Sequence, residues 1–184
     1  MHSYPRLGTV RGVEIRPARD SDAAQLGVVH VLSWQAAYRG LLPQHFLDGL
    51  DPARRARYWE RALGEVADQR YGLLVADAGD RLAGFAHFCP SRDEDADPAR
   101  TGELSSIYLL PESWGRGVGR QLMAAALAGL ARARYGQATL WVLDSNDRAR
   151  RFYRVAGWAV DGTVKQEEGP GFTLTEVRYR RSLP

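Results

Sequence analysis

Leu104-Ser105-Ser106-Ile107-Tyr108-Leu109-Leu110-Pro111-Glu112-Ser113-Trp114-Gly115-Arg116-Gly117-Val118-Gly119-Arg120 is the stretch on which the reading of this chain turns. A strand pattern over Thr101 to Leu109 is closed by Pro111, and the chain then turns through three glycines. A helical pattern follows to about Arg134, with Val118, Leu122, Ala126 and Leu130 on one face. Glycine permits positive φ and lets a backbone come close to a ligand. The first N–H groups of a helix have no intrahelical acceptor and carry the positive end of its dipole. Such a turn is either a cradle for phosphate or a tight strand-to-helix corner without a ligand, and spacing alone leaves both open. No lysine follows the glycines, so this is not a nucleotide-triphosphate loop. The spacing also departs from the dinucleotide fingerprint, which opens a first βαβ unit instead of following a hairpin.

Working outward, Val10 to Arg16 alternates as an edge strand, and Asp20-Ser21-Asp22 offers an N-cap for a helix over Ala23 to Tyr38. Pro43 opens a short helix, His45 to Leu50, and Asp51-Pro52 caps a third, Ala53 to Leu63. Tyr71 to Asp77 and Arg81 to Cys89 read as strands joined by Ala78-Gly79-Asp80. Ser91 to Arg100 is acidic and reads as an exposed loop. Past the glycines come a strand, Gln137 to Leu143, a helix capped by Asp144-Ser145-Asn146 and ending at Gly157, and two strands, Trp158 to Val164 and Phe172 to Tyr179. This order is a mixed α/β (α+β) domain.

With 184 residues the chain fits one domain, and 45% hydrophobic with 26% charged residues excludes disordered and collagen-like classes. No apolar run approaches the ~18 residues of a membrane span, and Met1 to Pro5 shows no secretory pattern. The lone cysteine, Cys89, excludes an internal disulfide and a multi-cysteine metal site and points to a cytoplasmic protein. A net charge of +3, spread along the chain, does not mark a nucleic-acid face. The basic residues are arginines save for one lysine, Lys165.

Downstream lies Leu140-Trp141-Val142-Leu143-Asp144-Ser145-Asn146-Asp147-Arg148-Ala149-Arg150-Arg151-Phe152-Tyr153-Arg154-Val155-Ala156-Gly157-Trp158. A strand into a glycine loop, a later strand ending in Asn, and a short helix carrying Phe-Tyr before Gly-aromatic occur here in order. With these the chain resembles the GNAT (Gcn5-related N-acetyltransferase) superfamily. The match runs from about Val13 to Arg180 in element order and is most specific from Glu103 to Trp158. It implies one N-acetyltransferase domain over 1–184, with a core of about 13–180. The implied fold is a mostly antiparallel sheet of about seven strands with a central parallel splayed pair, flanked by helices. Trp114 stands where the family loop usually has Gln or Arg; it either forgoes a contact or packs on the ligand.

The resemblance implies acetyl-coenzyme A as donor, no metal, and an amine acceptor. Ile107, Tyr108 and Leu109 would meet the pantetheine arm, and Gly115, Arg116, Gly117, Val118, Gly119 and Arg120 the diphosphate. Asn146 would contact the cofactor, and Tyr153 would approach the thioester sulfur as the acid. Transfer to an amine also needs a base. Glu103 is the candidate, against a solvated strand-edge carboxylate, with His87 in reserve. Cys89, without an activating partner, is a weak case for a covalent route. Trp34 and Tyr38, four apart on one helix face, either wall the acceptor pocket or belong to the core with Phe46 and Trp59. The acidic, glycine-rich loop Gln166 to Gly171 either touches a cationic acceptor or is a turn joining the last strands. A non-catalytic acyl-coenzyme A module and a transferase of longer acyl groups stay open, as does a homodimer, which many members of that family form.

Overall fold

The structure, a computed structural model, describes residues 12–184. Met1 to Pro5 and the start of the expected first strand lie outside them. The described residues form five α-helices and seven strands, with two short 3-10 turns of helix at Asp20–Asp22 and Pro111–Ser113. The strands are β1 (Glu14–Pro17), β2 (Gly72–Asp77), β3 (Leu82–Pro90), β4 (Thr101–Leu109), β5 (Gln137–Leu143), β6 (Ala159–Gly169) and β7 (Phe172–Ser182). The helices are α1 (Ala23–Ala37), α2 (Gln44–Asp48), α3 (Pro52–Glu65), α4 (Val118–Arg132) and α5 (Asp147–Val155). One sheet runs in the order β1-β2-β3-β4-β5-β7-β6. Only β4 and β5 pair in parallel; the other neighbours are antiparallel.

β2 and β3 are apolar over most of their length because both faces are covered. Leu73, Val75 and Phe85 meet Leu26 and Val29 of α1 and Trp59 of α3 on one side. Leu74, Ala76 and Ala86 meet Leu122, Ala126 and Leu130 of α4 on the other. Gly27 lets α1 touch α3, since a Cβ there would stand 2.3 Å from the Pro52 carbonyl oxygen. No helix among the described residues is long and apolar enough to cross a membrane.

Two features of the sheet make room for a site. His87 pairs with Ser106 but Phe88 with Leu104, so Ser105 is an extra residue in β4. A bulge bends the strand that carries it. The parallel register of β4 with β5 covers only Thr101–Gln137, Gly102–Ala138 and Glu103–Thr139, and beyond it the strands part.

Several expectations need correction. Asp22 does not cap α1; its carboxylate is taken by Arg16 at 2.7 and 3.0 Å and by the Arg19 amide at 2.7 Å. The last hairpin is longer than its composition suggests. Pairing continues to Gly169–Phe172, leaving Pro170-Gly171 as the turn, with Gly171 at φ 80°. The acidic loop is not free. Arg178, 2% exposed, binds Asp93 at 3.1 Å, Asp95 at 2.6 Å and Asp161 at 2.7 Å. Asp93 also accepts from Trp141 Nε1 at 2.8 Å, which seats the loop on the sheet.

Candidate active site

A cavity of about 1060 Å³ fills the opening between β4 and β5 and extends beneath α1 and the β6–β7 hairpin. At one end stands the glycine turn. Gly115 and Gly117 hold φ of 71° and 87°, the left-handed region in which a side chain is strained. Gly117 occupies the N-cap of α4 with no side chain to cap it, so the first amides of the helix stay available. Gly115, Gly117, Gly119 and Arg120 border the cavity. Val118 turns into the core at 2% exposure, and Arg116 points to solvent.

The flank of β4 contributes Ile107, Tyr108 and Leu109. Trp114 ties the turn to that strand, its Nε1 donating to the Leu109 carbonyl at 3.0 Å. The Arg148 guanidinium stacks 3.4 Å above the Trp114 ring, joining the turn to α5. Asn146 caps α5 by accepting the Ala149 amide at 3.2 Å. Arg120, Arg148 and Arg151 border an adjoining hollow of about 510 Å³.

Tyr153 of α5 also faces the main cavity. Its ring lies 5.6 Å from Phe152 and 6.1 Å from Tyr179, and its hydroxyl makes no hydrogen bond among the described residues. Burial raises its pKa well above the ordinary phenol value, and Tyr108 and Glu176 add to the rise. The phenol therefore keeps its proton at neutral pH.

Glu103, 4% exposed, lies at the far end of β4, at the edge of the same cavity. Arg92 grips it, Nη2 donating to Oε1 at 2.5 Å and Nε to Oε2 at 3.1 Å. His87 is buried, with Nδ1 2.5 Å from Ser105 Oγ and Nε2 without a partner. Burial, helped by Arg92, lowers its pKa to about 4, and the ring does not border the cavity. Burial pushes the Cys89 thiol up to about 12, so it offers almost no thiolate at neutral pH.

The far wall is aromatic and charged. Trp34 and Tyr38 stand edge-to-face at 5.0 Å and line the cavity, whereas Trp59 is core and Phe46 packs on Phe172 at 5.0 Å. That last contact closes α2 onto the hairpin, whose Lys165, Glu167, Leu174 and Glu176 complete the wall. Arg55 and Glu176 had not been singled out in the sequence. They come from α3 and β7, 121 positions apart, and only the folded sheet brings them to one cavity.

A catalytic reading of this arrangement agrees with the chain's relatives. The model of the acetyltransferase (GNAT) family matches residues 20–158. The uncharacterised N-acetyltransferase YuaI of Bacillus subtilis is 32% identical over 135 residues, 73% of each chain. An uncharacterised N-acetyltransferase of Mycobacterium tuberculosis is 33% identical over 150 residues, 78% of this chain and 86% of that one. Among solved structures, the PaiA N-acetyltransferase of Thermoplasma acidophilum, in complex with coenzyme A, superposes with a TM-score of 0.73. The two are 20% identical, over 92% of this chain and 98% of that one. YncA of Salmonella typhimurium, with acetyl-coenzyme A, gives 0.70 at 22% identity over 94% of each chain. The chain belongs to the GNAT acetyltransferase family and is an acyltransferase.

Proposed function

We propose that the chain moves the acetyl group of acetyl-coenzyme A to a primary amine of a small molecule or peptide by direct attack in a ternary complex. The observation that carries this reading is the cavity that connects the uncapped N-terminus of α4 with the Tyr153 phenol through the gap between β4 and β5. The coenzyme A and acetyl-coenzyme A complexes of PaiA and YncA support the donor. We read the whole chain as one domain of this kind, with a core of about 13–180, acting in the cytoplasm.

In this reading the amides of residues 115–120 hold the diphosphate, joined by Arg116 and Arg120, neither of which has an ion-pair partner among the described residues. The β4 backbone at Ile107, Tyr108 and Leu109, beyond the last registered pair with β5, receives the pantetheine amides. Asn146 spends Oδ1 on its cap and keeps its amide nitrogen for the ligand. The acceptor nitrogen, walled by Trp34 and Tyr38, attacks the thioester carbonyl, and a backbone N–H answers the developing oxyanion. As the carbon–sulfur bond breaks, Tyr153 gives its proton to the thiolate. Glu103 takes the proton of the attacking amine through water; Arg92 orients its carboxylate, filling Oε2 with its backbone amide and Nε, and Oε1, bound only by Nη2, keeps a further lone pair.

Calorimetry with coenzyme A, followed by Tyr153→Phe kinetics, tests the proposal. Phenylalanine removes a hydroxyl that bonds nothing else among the described residues, so coenzyme A affinity should stay within about twofold while kcat falls by about 10²–10⁴. Unchanged kcat removes Tyr153 as the acid. No binding of coenzyme A or acetyl-coenzyme A at millimolar levels overturns the whole reading. Firm binding with no turnover across a broad amine screen favours a binding module instead.

A further inference from the structure

We propose that the acceptor is a zwitterion of amino-acid type, with Arg55 receiving its carboxylate and Glu176 its ammonium. The proposal rests on the transferase reading and names the substrate class for the same cavity.

Arg55 is half-buried on α3 and lines the cavity. Its guanidinium stands 5.4 Å from the centroid of the Trp34 ring. Among the described residues it has neither a carboxylate partner nor a hydrogen bond. Arg16, Arg92 and Arg178, by contrast, are each satisfied by acidic side chains. A planar cation steadied on an aromatic face and turned into a cavity is a ready receptor for a carboxylate, which it binds in two parallel hydrogen bonds.

The opposite charge lies nearby. Glu176 of β7 is mostly buried and faces the same cavity. One oxygen, Oε2, takes Lys165 at 3.0 Å, and Oε1 has no hydrogen bond among the described residues. Tyr38, Tyr108 and the proposed acid, Tyr153, line that cavity with it. Arg55, Tyr108 and Glu176 border one cavity, so a ligand held there meets both charges in its walls. A plain monoamine leaves Arg55 unanswered. A polyamine brings further cations toward both Arg55 and Lys165. A compact amine with a carboxylate a few bonds away matches both ends.

The test compares primary α-amino acids with their decarboxylated amines, for example phenylalanine with phenethylamine and methionine with 3-(methylthio)propylamine. Free thiol release is measured at saturating acetyl-coenzyme A, after calorimetry has established that acetyl-coenzyme A binds. At least one amino acid should exceed its amine in kcat/KM by about tenfold or more. Arg55→Ala should raise the KM of that amino acid by about 10- to 100-fold, the worth of a charge-assisted hydrogen bond, with kcat nearly unchanged. It should leave KM for the amine and for acetyl-coenzyme A alone, and Arg55→Lys should recover part of the loss. Glu176→Gln should raise KM for both members of a pair. Preference for the amines, a ratio that Arg55→Ala does not alter, or no turnover of any amino acid by a protein that binds acetyl-coenzyme A overturns the acceptor class. The last result leaves the transferase reading standing, and failure to bind acetyl-coenzyme A removes both.

Discussion

Acidification to about pH 5 should weaken the fold through two histidines. His30 lies 4% exposed among Trp34, Trp59, Phe85 and Tyr108, at ring distances of 5.0–6.3 Å, and neither ring nitrogen has a partner. Burial, with Arg55 adding to it, lowers its pKa to about 3, and burial with Arg92 lowers that of His87 to about 4. In the unfolded chain both titrate near ~6.5. The unfolded state therefore binds more protons below that value. Stability is complete above about pH 6.5 and is lost as pH falls toward the folded values. Each histidine contributes ~1.4 kcal/mol per pH unit, so at pH 5 the two together cost about 4 kcal/mol relative to pH 7.5. Asp22 and Asp77 do not share that interval. The Arg16 hydrogen bond leads in lowering the first and the Gly79 amide in lowering the second, so their contributions fade only below the ordinary carboxylate range. Urea unfolding followed by tryptophan fluorescence at both pH values measures the difference. His30→Leu, which leaves no hydrogen bond broken, should halve it to about 2 kcal/mol. A parent protein that loses under about 1 kcal/mol, or a variant that loses as much as the parent, refutes the reasoning.

Cys89 should resist a disulfide reagent in the native protein and react with one equivalent in denaturant, while Cys89→Ala keeps its turnover; rapid native labelling would contradict its burial. Arg178→Ala leaves Asp93 and Asp95 without their cation and Asp161 with Arg180 alone, and should cost about 3–5 kcal/mol in urea, with new protease cleavage within Ser91 to Arg100. Gly117→Ala forces a side chain to φ 87° at a cost of about 1–2 kcal/mol; calorimetry should show coenzyme A affinity reduced by about tenfold. Glu103→Gln keeps shape and loses charge. It should lower kcat/KM by about tenfold or more without changing coenzyme A affinity, and an unchanged kcat/KM would exclude Glu103 as the base.

What was legible in the chain were features with local causes. Thr101–Leu109 and Gln137–Leu143 fall at their expected bounds because proline, glycine and Asp-Ser-Asn punctuate apolar runs. Asp51 caps α3 as expected, accepting the Ala53 amide at 2.8 Å. Most of the proposed site residues converge on one cavity for the same reason, since the glycine turn and the Asn146–Tyr153 segment are contiguous motifs. What was illegible depended on distant partners. The extra residue at Ser105 exists only relative to β3. Asp95 meets Arg178 across 83 positions, and Asp22 is drawn from its cap by Arg16. No periodicity records such pairings. Arg55 escaped notice because α3 carries several arginines, and only packing shows which of them faces inward.

The scarcity of lysine bears on self-modification. An acyltransferase fed by a thioester is exposed to its own reagent, and guanidinium groups, permanently protonated, are poor targets. Here the basic residues are arginine with a single exception, and the sole side-chain amine, Lys165, lines the cavity. Glu167 at 2.7 Å and Glu176 at 3.0 Å clamp it as an ammonium, whose nitrogen has no free lone pair. Its one side-chain amine is thereby held back from acting as an acceptor.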